Sequence, residues 1–240
     1  MSARDYTIDE LANYLHVTPQ QVVKMASRDQ LPGRRINGQW KFSHSDIHHW
    51  FEDRIGESKA ADLPHYDKLL RKADKHVDVL QWDELFVPEA IAKPLTARTR
   101  NSVIRDMCSL AARTGYLWDE SEMRDAVAAR ENLHPTALES GVAMLHPRRP
   151  RGAILSQSLI AVGISDQSLP FGNLSGHLTD VFFLICSTDD AVHLRILAKL
   201  SRLVSDLEWL SGLRSCDSPA EVFQHLRASE ERLSLNELYN

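Results

Sequence analysis

The chain has 240 residues, with 28 Lys+Arg against 33 Asp+Glu and a formal net charge of -5 at pH 7. Its 43% apolar and 25% charged residues exclude a wholly disordered or fibrous chain. No apolar run approaches the ~18 residues of a membrane span, and Met1-Ser2-Ala3-Arg4-Asp5 does not open a secretory signal. Cys108, Cys186 and Cys216 are odd in number and widely spaced, which excludes a disulfide framework or a CxxC zinc site. The expectation is a soluble cytoplasmic protein that inserts into no membrane and takes no metal or cofactor.

Residues 1–60 carry eight basic and eight acidic side chains, so the net negative charge belongs to the remainder of the chain. Thr7-Ile8-Asp9-Glu10 has the form of a capping box, and Leu11, Ala12 and Leu15 follow on one helical face. A second box, Thr18-Pro19-Gln20-Gln21, places Pro at the first helical position and starts a helix that buries Val22, Val23, Met25 and Ala26. Only His16 and Val17 separate the two, which predicts a helix-turn-helix. Arg34 to Phe42 alternates around Asn37-Gly38, the pair that suits a tight hairpin turn, and predicts a small wing flanked by Arg34, Arg35 and Lys41. A third helix is expected through Ile47, Trp50 and Phe51. His44, His48 and His49 read as a solvated helix start, because no Cys or carboxylate is placed to complete a zinc set.

These residues resemble the excisionase-type winged helix-turn-helix, a relative of the MerR DNA-binding domain. The motifs are Tyr6-Thr7-Ile8-Asp9-Glu10-Leu11-Ala12, Leu15 to Val22, Leu31-Pro32-Gly33-Arg34-Arg35-Ile36, Trp40-Lys41-Phe42, Asp46-Ile47 and Trp50. The resemblance implies that the second helix reads the major groove and the wing touches the backbone. It makes Gln20, Gln21, Lys24, Arg28, Arg34, Arg35 and Lys41 the candidate DNA contacts, with double-stranded DNA as partner. The near-zero charge of this segment leaves a protein-docking role open beside it.

Residues 57–82 are expected to be a linker or connecting helix, with Leu69, Leu70, Ala73, Val77 and Leu80 on one face. From residue 83 the pattern becomes α/β. Helices are predicted over Ser102–Arg113, from Asp119 through Arg130, from Asp189 through Leu207, and from Ser218 onward. Val142–Leu145, Ser158–Ile164 and Thr179–Cys186 read as buried strands. The expected architecture is a mixed sheet covered by helices on both faces over residues 83–230, followed by a tail over 231–240.

His146 directly follows the first of these strands, and His193 falls in the first turn of a helix, whose N–H groups favour an anion. Arg130 ends the helix before the strand and suits a phosphate. This grouping fits transient phosphoryl capture, although a lone His near a strand end is more often structural.

The order Arg130-Glu131, Gly141–His146, Thr179–Ile185 and His193–Leu200 resembles the fructose/mannitol-type IIA domain of the phosphoenolpyruvate:sugar phosphotransferase system, which includes nitrogen-regulatory IIA proteins. The separations of 16 residues from Arg130 to His146 and 47 from His146 to His193 agree with it, as does Leu85-Phe86-Val87-Pro88-Glu89. The resemblance implies that His146 accepts a phosphoryl group from an HPr-type phosphocarrier and that His193 and Arg130 stabilise it. Glu131 would brace the Arg or the loop, and Arg148 would attract the phosphoryl group. This chain departs from the family by Leu145 where a Pro usually precedes the His, by Glu139 near the site, and by the basic run Pro147-Arg148-Arg149-Pro150-Arg151.

The expected function is a regulator that couples phosphorylation of His146 to DNA or partner binding. The alternatives are a non-catalytic IIA-like module that docks a kinase or transporter, and a phosphocarrier feeding a separate IIB protein. A homodimer is compatible with any of them.

Overall fold

The structure is a computed structural model that describes residues 5–15, 17–44, 46–47, 49–50, 82–172 and 175–238, with 230–238 described by backbone alone. The chain divides into two compact units, Met1–Asp78 and Val79–Asn240. The expected linker lies almost entirely outside the described residues.

In the first unit, α1 (Ile8–Leu15) and α2 (Pro19–Ala26) form as the capping boxes require. Glu10 N–H donates to Thr7 Oγ1 at 3.2 Å, and Thr7 N–H donates to Glu10 Oε2 at 2.7 Å. The pair Thr18 and Gln21 repeats this exchange at 2.8 and 3.2 Å. Strands β1 (Arg34–Ile36) and β2 (Gln39–Lys41) pair antiparallel about the turn, where Asn37 and Gly38 both have positive φ, 51° and 80°. Tyr6 adds an antiparallel bridge to Phe42. Leu11, Ala12, Leu15, Val22, Ala26, Leu31, Phe42 and Ile47 are buried and form the core of this small unit.

The second unit contains a four-stranded sheet in the order β3-β5-β6-β4, made of β3 (Phe86–Ala92), β4 (Val142–Leu145), β5 (Leu159–Pro170) and β6 (Leu178–Cys186). β3 is parallel to β5, β5 antiparallel to β6, and β4 parallel to β6. Alternate residues of a strand face opposite sides, and here both sides are apolar. Phe182, Leu184 and Cys186 join a core cluster with Val103, Ile104, Met107 and Leu110 of helix α3 (Arg100–Arg113) and Met123 and Val127 of α4 (Glu120–Leu133). Val181, Phe183 and Ile185 are equally buried on the other side. On that side Ser201 of α5 (Asp190–Ser205) donates to Met144 Sδ at 3.8 Å. The sheet is therefore covered on both faces, as its continuous apolar runs demand.

The long helix expected to reach Leu207 instead stops at Ser205. Asp206 caps a new helix, α6 (Leu207–Arg214), by accepting from Glu208 N–H at 3.1 Å and Trp209 N–H at 3.0 Å. Leu207 is then exposed. The last helix, α7 (Pro219–Leu238), starts at the Ser218 capping box and continues through most of the expected tail. Strand β3, which contains Pro88, was not marked by an alternating pattern. Trp82, fully buried, begins the described part of this unit by donating its indole N–H to Ser229 Oγ at 2.9 Å.

Candidate functional site

β4 and β6 run parallel with Leu145 opposite Leu184, so the residues after both strands emerge at the same end of the sheet. His146 follows β4, while Ser187 follows β6 and leads through Asp189, the N-cap of α5, to His193. Ligand sites of α/β sheets favour the carboxyl ends of strands. The two rings lie 5.0 Å apart between centroids and are tilted by 55°. His146 is 3% exposed and His193 is fully buried.

Each Nδ1 is held by a defined group. His146 Nδ1 lies 2.8 Å from the Met144 carbonyl oxygen. A carbonyl only accepts, so this nitrogen carries a proton. In the neutral ring Nε2 then keeps its lone pair, the form a nucleophile needs. His193 Nδ1 lies 3.0 Å from the buried Ser187 hydroxyl. Asp189 Oδ1 caps α5 by accepting from Val192 N–H at 2.9 Å, while its backbone carbonyl accepts from His193 N–H at 3.0 Å.

The segment after His146 is fixed to the same α5 start. The backbone at Gly152 packs so closely on the Thr188 carbonyl that an added Cβ would lie 2.4 Å from its oxygen. Ser158 Oγ accepts from Thr188 N–H at 3.1 Å. Glycine at 152 thus lets one loop approach the other.

Arg130 lies in the last turn of α4, buried, where its guanidinium donates to the His134 carbonyl at 2.7 Å. Its neighbour Glu131 holds the loop rather than Arg130. Glu131 accepts from Thr136 N–H at 3.2 Å, is bonded to the Thr136 hydroxyl, and lies 3.5 Å from Arg100. The segment beyond runs back along β4: Met144 N–H reaches the Thr136 carbonyl at 3.5 Å, and Leu138 N–H donates to the Val142 carbonyl at 2.8 Å. Arg148 and Arg149 are exposed beyond His146, and Glu139 is exposed and accepts from Ser175 at 3.2 Å.

The fold brings His146 and His193 into one buried pair and holds Arg130 beside the loop that flanks β4. Sequence reasoning missed Ser187, Thr136 and the Met144 carbonyl. Only the position of Ser187 directly after an apolar strand could have pointed to it.

In the first unit Gln20, Gln21, Lys24 and Arg28 are exposed. Gln20 and Lys24 are one helical turn apart on α2. Gln21 has its side-chain oxygen committed to the capping box. Arg34 pairs with Asp5 at 2.8 Å, and Arg35 stacks 5.0 Å over the Trp40 ring. Lys41 is half-buried. Among the described residues no His/Cys/Asp/Glu group could hold a metal ion, and no helix is long and apolar enough to cross a membrane.

The nitrogen regulatory protein of Bradyrhizobium diazoefficiens is 27% identical over 146 residues, covering 60% of this chain and 92% of that protein. The fructose-specific EIIABC component of Bacillus subtilis is 27% identical over 137 residues, which are 56% of this chain but 21% of that much longer protein. The crystal structure of the nitrogen regulatory protein IIA-Ntr of Neisseria meningitidis matches with a TM-score of 0.54 at 21% identity, covering 60% of this chain and 97% of that one, a likeness of fold. A helix-turn-helix domain model matches residues 6–55. The model of the phosphoenolpyruvate-dependent sugar phosphotransferase system EIIA 2 domain matches residues 84–229, more than half of the chain, and the protein belongs to that family.

Proposed function

We propose that the protein is a phosphorylation-responsive regulator in which His146 accepts a phosphoryl group from an HPr-type phosphocarrier. The observation that carries this is the Nδ1 contact of His146 with the Met144 carbonyl, which leaves Nε2 as the nucleophilic nitrogen 5.0 Å, ring to ring, from His193. The Nε2 lone pair attacks phosphorus, the donor's N–P bond breaks, and its electron pair returns to the donor nitrogen. Nδ1–H stays on the Met144 carbonyl throughout, so the ring gains the phosphoryl group without losing a proton. His193 and Arg130 stabilise the added negative charge, with Arg148 outside them. Because His146 is nearly enclosed, transfer requires local opening around the ring.

The helix-turn-helix unit supplies the output. Gln20, Gln21, Lys24, Arg28, Arg34, Arg35 and Lys41 contact double-stranded DNA, and phosphorylation of His146 alters that binding or the binding of a kinase, transporter or IIB protein. The name of the Bradyrhizobium relative favours nitrogen state as the signal. The setting is the cytoplasm, where phosphoenolpyruvate is available.

Intact-mass measurement after incubation with phosphoenolpyruvate, enzyme I and an HPr-type carrier tests the acceptor. An acid-labile adduct that His146→Ala abolishes is the expected result. Absence of an adduct with demonstrably active donors would overturn it. Burial of both rings favours a second reading, in which the domain only docks a partner. That reading gains if His146→Ala keeps full regulatory activity.

A further inference from the structure

The Glu131 side chain is fully enclosed, and Arg100 is the one cation within ion-pair distance of it among the described residues, at 3.5 Å. A carboxylate taken out of water is stable only when it is paired and hydrogen-bonded. Arg130, its neighbour in sequence, turns instead to the His134 carbonyl at 2.7 Å. Arg100 opens α3 directly after the N-cap Thr99, and Glu131 lies in the last turn of α4, so the pair ties two helix ends together. The guanidinium is itself held: it donates to Asn132 Oδ1 at 3.3 Å and lies 6.0 Å from the centre of the Phe171 ring.

Glu131 passes this constraint toward His146. It accepts from both the N–H and the hydroxyl of Thr136. Residues 136–138 then lie along the edge of β4. Ala137 bridges Ala143 antiparallel, Leu138 N–H donates to the Val142 carbonyl at 2.8 Å, and Met144 N–H faces the Thr136 carbonyl at 3.5 Å. The Met144 carbonyl in turn holds His146 Nδ1 at 2.8 Å. We propose that Arg100 is a positioning residue for His146, acting through Glu131, Thr136 and the edge of β4. This rests on the reading of His146 as the phosphoryl acceptor. Arg100 touches neither the ring nor the transferred group; it fixes the carboxylate that fixes the loop. The Nε2 lone pair must point along the donor's N–P bond as that bond breaks, and a small error in aim is costly to the rate.

The experiment compares the full chain as wild type, Arg100→Met, Arg100→Lys, Glu131→Gln and the Arg100→Met/Glu131→Gln double variant. The kcat and KM of phosphoryl uptake from an HPr-type phosphohistidine donor are measured, with proton–nitrogen correlation spectra of nitrogen-15-labelled histidine on the same samples. Arg100→Met keeps the length of the side chain without its charge. It should lower kcat about ten-fold, leave KM for the donor within about two-fold, and shift the His146 Nδ1–H signal. Arg100→Lys should restore most of kcat. In the Glu131→Gln background, Arg100→Met should cost nothing further, because no buried charge is left to match. A wild-type kcat in Arg100→Met would overturn the proposal. So would a loss confined to KM, which would make Arg100 a donor contact, or a full second loss in the double variant, which would mean that Arg100 acts by another route. If Arg100→Met does not fold, the double variant still decides by comparison with Glu131→Gln. If the wild type takes up no phosphoryl group from an active donor, the acceptor reading fails. A His146 signal unchanged in Arg100→Met would then overturn the positioning role as well, and a shifted one would uphold it.

Discussion

Arg214 of α6 holds Asp180 of β6 through two parallel hydrogen bonds of 2.8 and 2.7 Å, and the same guanidinium donates to the Ser140 carbonyl at 2.7 Å. This joins three elements at the turn that enters β4. Gly141 completes the turn with φ of 81°, and an added Cβ would lie 2.8 Å from the Arg214 side chain.

Arg214→Ala should destabilise the second unit by about 2 kcal/mol, because one cation satisfies a carboxylate and a carbonyl. Gly141→Ala should cost about as much, from left-handed strain and the close contact together. Urea unfolding followed by circular dichroism checks both. If either variant keeps the wild-type midpoint, the turn is not held this way.

Glu131 is a buried carboxylate that accepts from Thr136 and pairs with Arg100. Truncating it leaves Thr136 donors unmet and Arg100 without its counter-charge. Glu131→Ala should cost about 3 kcal/mol, and Glu131→Gln clearly less. The alanine variant should also slow phosphoryl uptake, since the loop it anchors flanks β4. Uptake rates compared at a temperature where both variants remain folded separate the two effects.

Arg34 is engaged by Asp5, whose hydrogen bond, more than its charge, raises the guanidinium pKa. A DNA phosphate must compete with that carboxylate. Asp5→Asn should therefore tighten DNA binding by about two- to five-fold at low salt, since exposed ion pairs are weak. Lys24, Arg34 and Arg35 replaced together by Ala should weaken binding and flatten the salt dependence by about 0.9 logarithmic units per lost phosphate contact. Fluorescence anisotropy across a salt series reads both, and an unchanged slope would remove these cations from the interface.

Burial, then the charge of Glu120, pushes the Cys108 thiol up to about 12 from 9.0. Burial, then Cys108, pushes Cys186 upward as well. Below pH 9 the thiols are protonated in both folded and unfolded chains, and their contribution is intact. As pH rises from about 9 toward 12, the unfolded chain releases protons that the native state keeps, so stability falls. Melting temperatures should drop more steeply with alkaline pH in the wild type than in a Cys108→Ala/Cys186→Ala variant. Parallel curves would contradict this.

Both capping boxes, the Asn37-Gly38 hairpin, the helix starts at Asp119, Asp189 and Ser218, and the strands around Val142, Ile160 and Phe183 were legible because each depends on side chains within a few residues. Strand β3 was not legible, because its Pro88 masks the pattern and its partners lie in β5, more than sixty residues later. The helix break at Asp206 was written in a capping residue, but an unbroken apolar stripe hid it. The order of residues also determined that His146 directly follows a strand and that His193 falls in the first turn of a helix. Only the tertiary structure decided that β4 and β6 run parallel, which sets both rings at one sheet end, with the Met144 carbonyl against one and the Ser187 hydroxyl against the other. Local hydrogen bonds act between near neighbours in sequence, whereas the approach of His146 to His193 depends on the pairing of two strands that lie far apart along the chain.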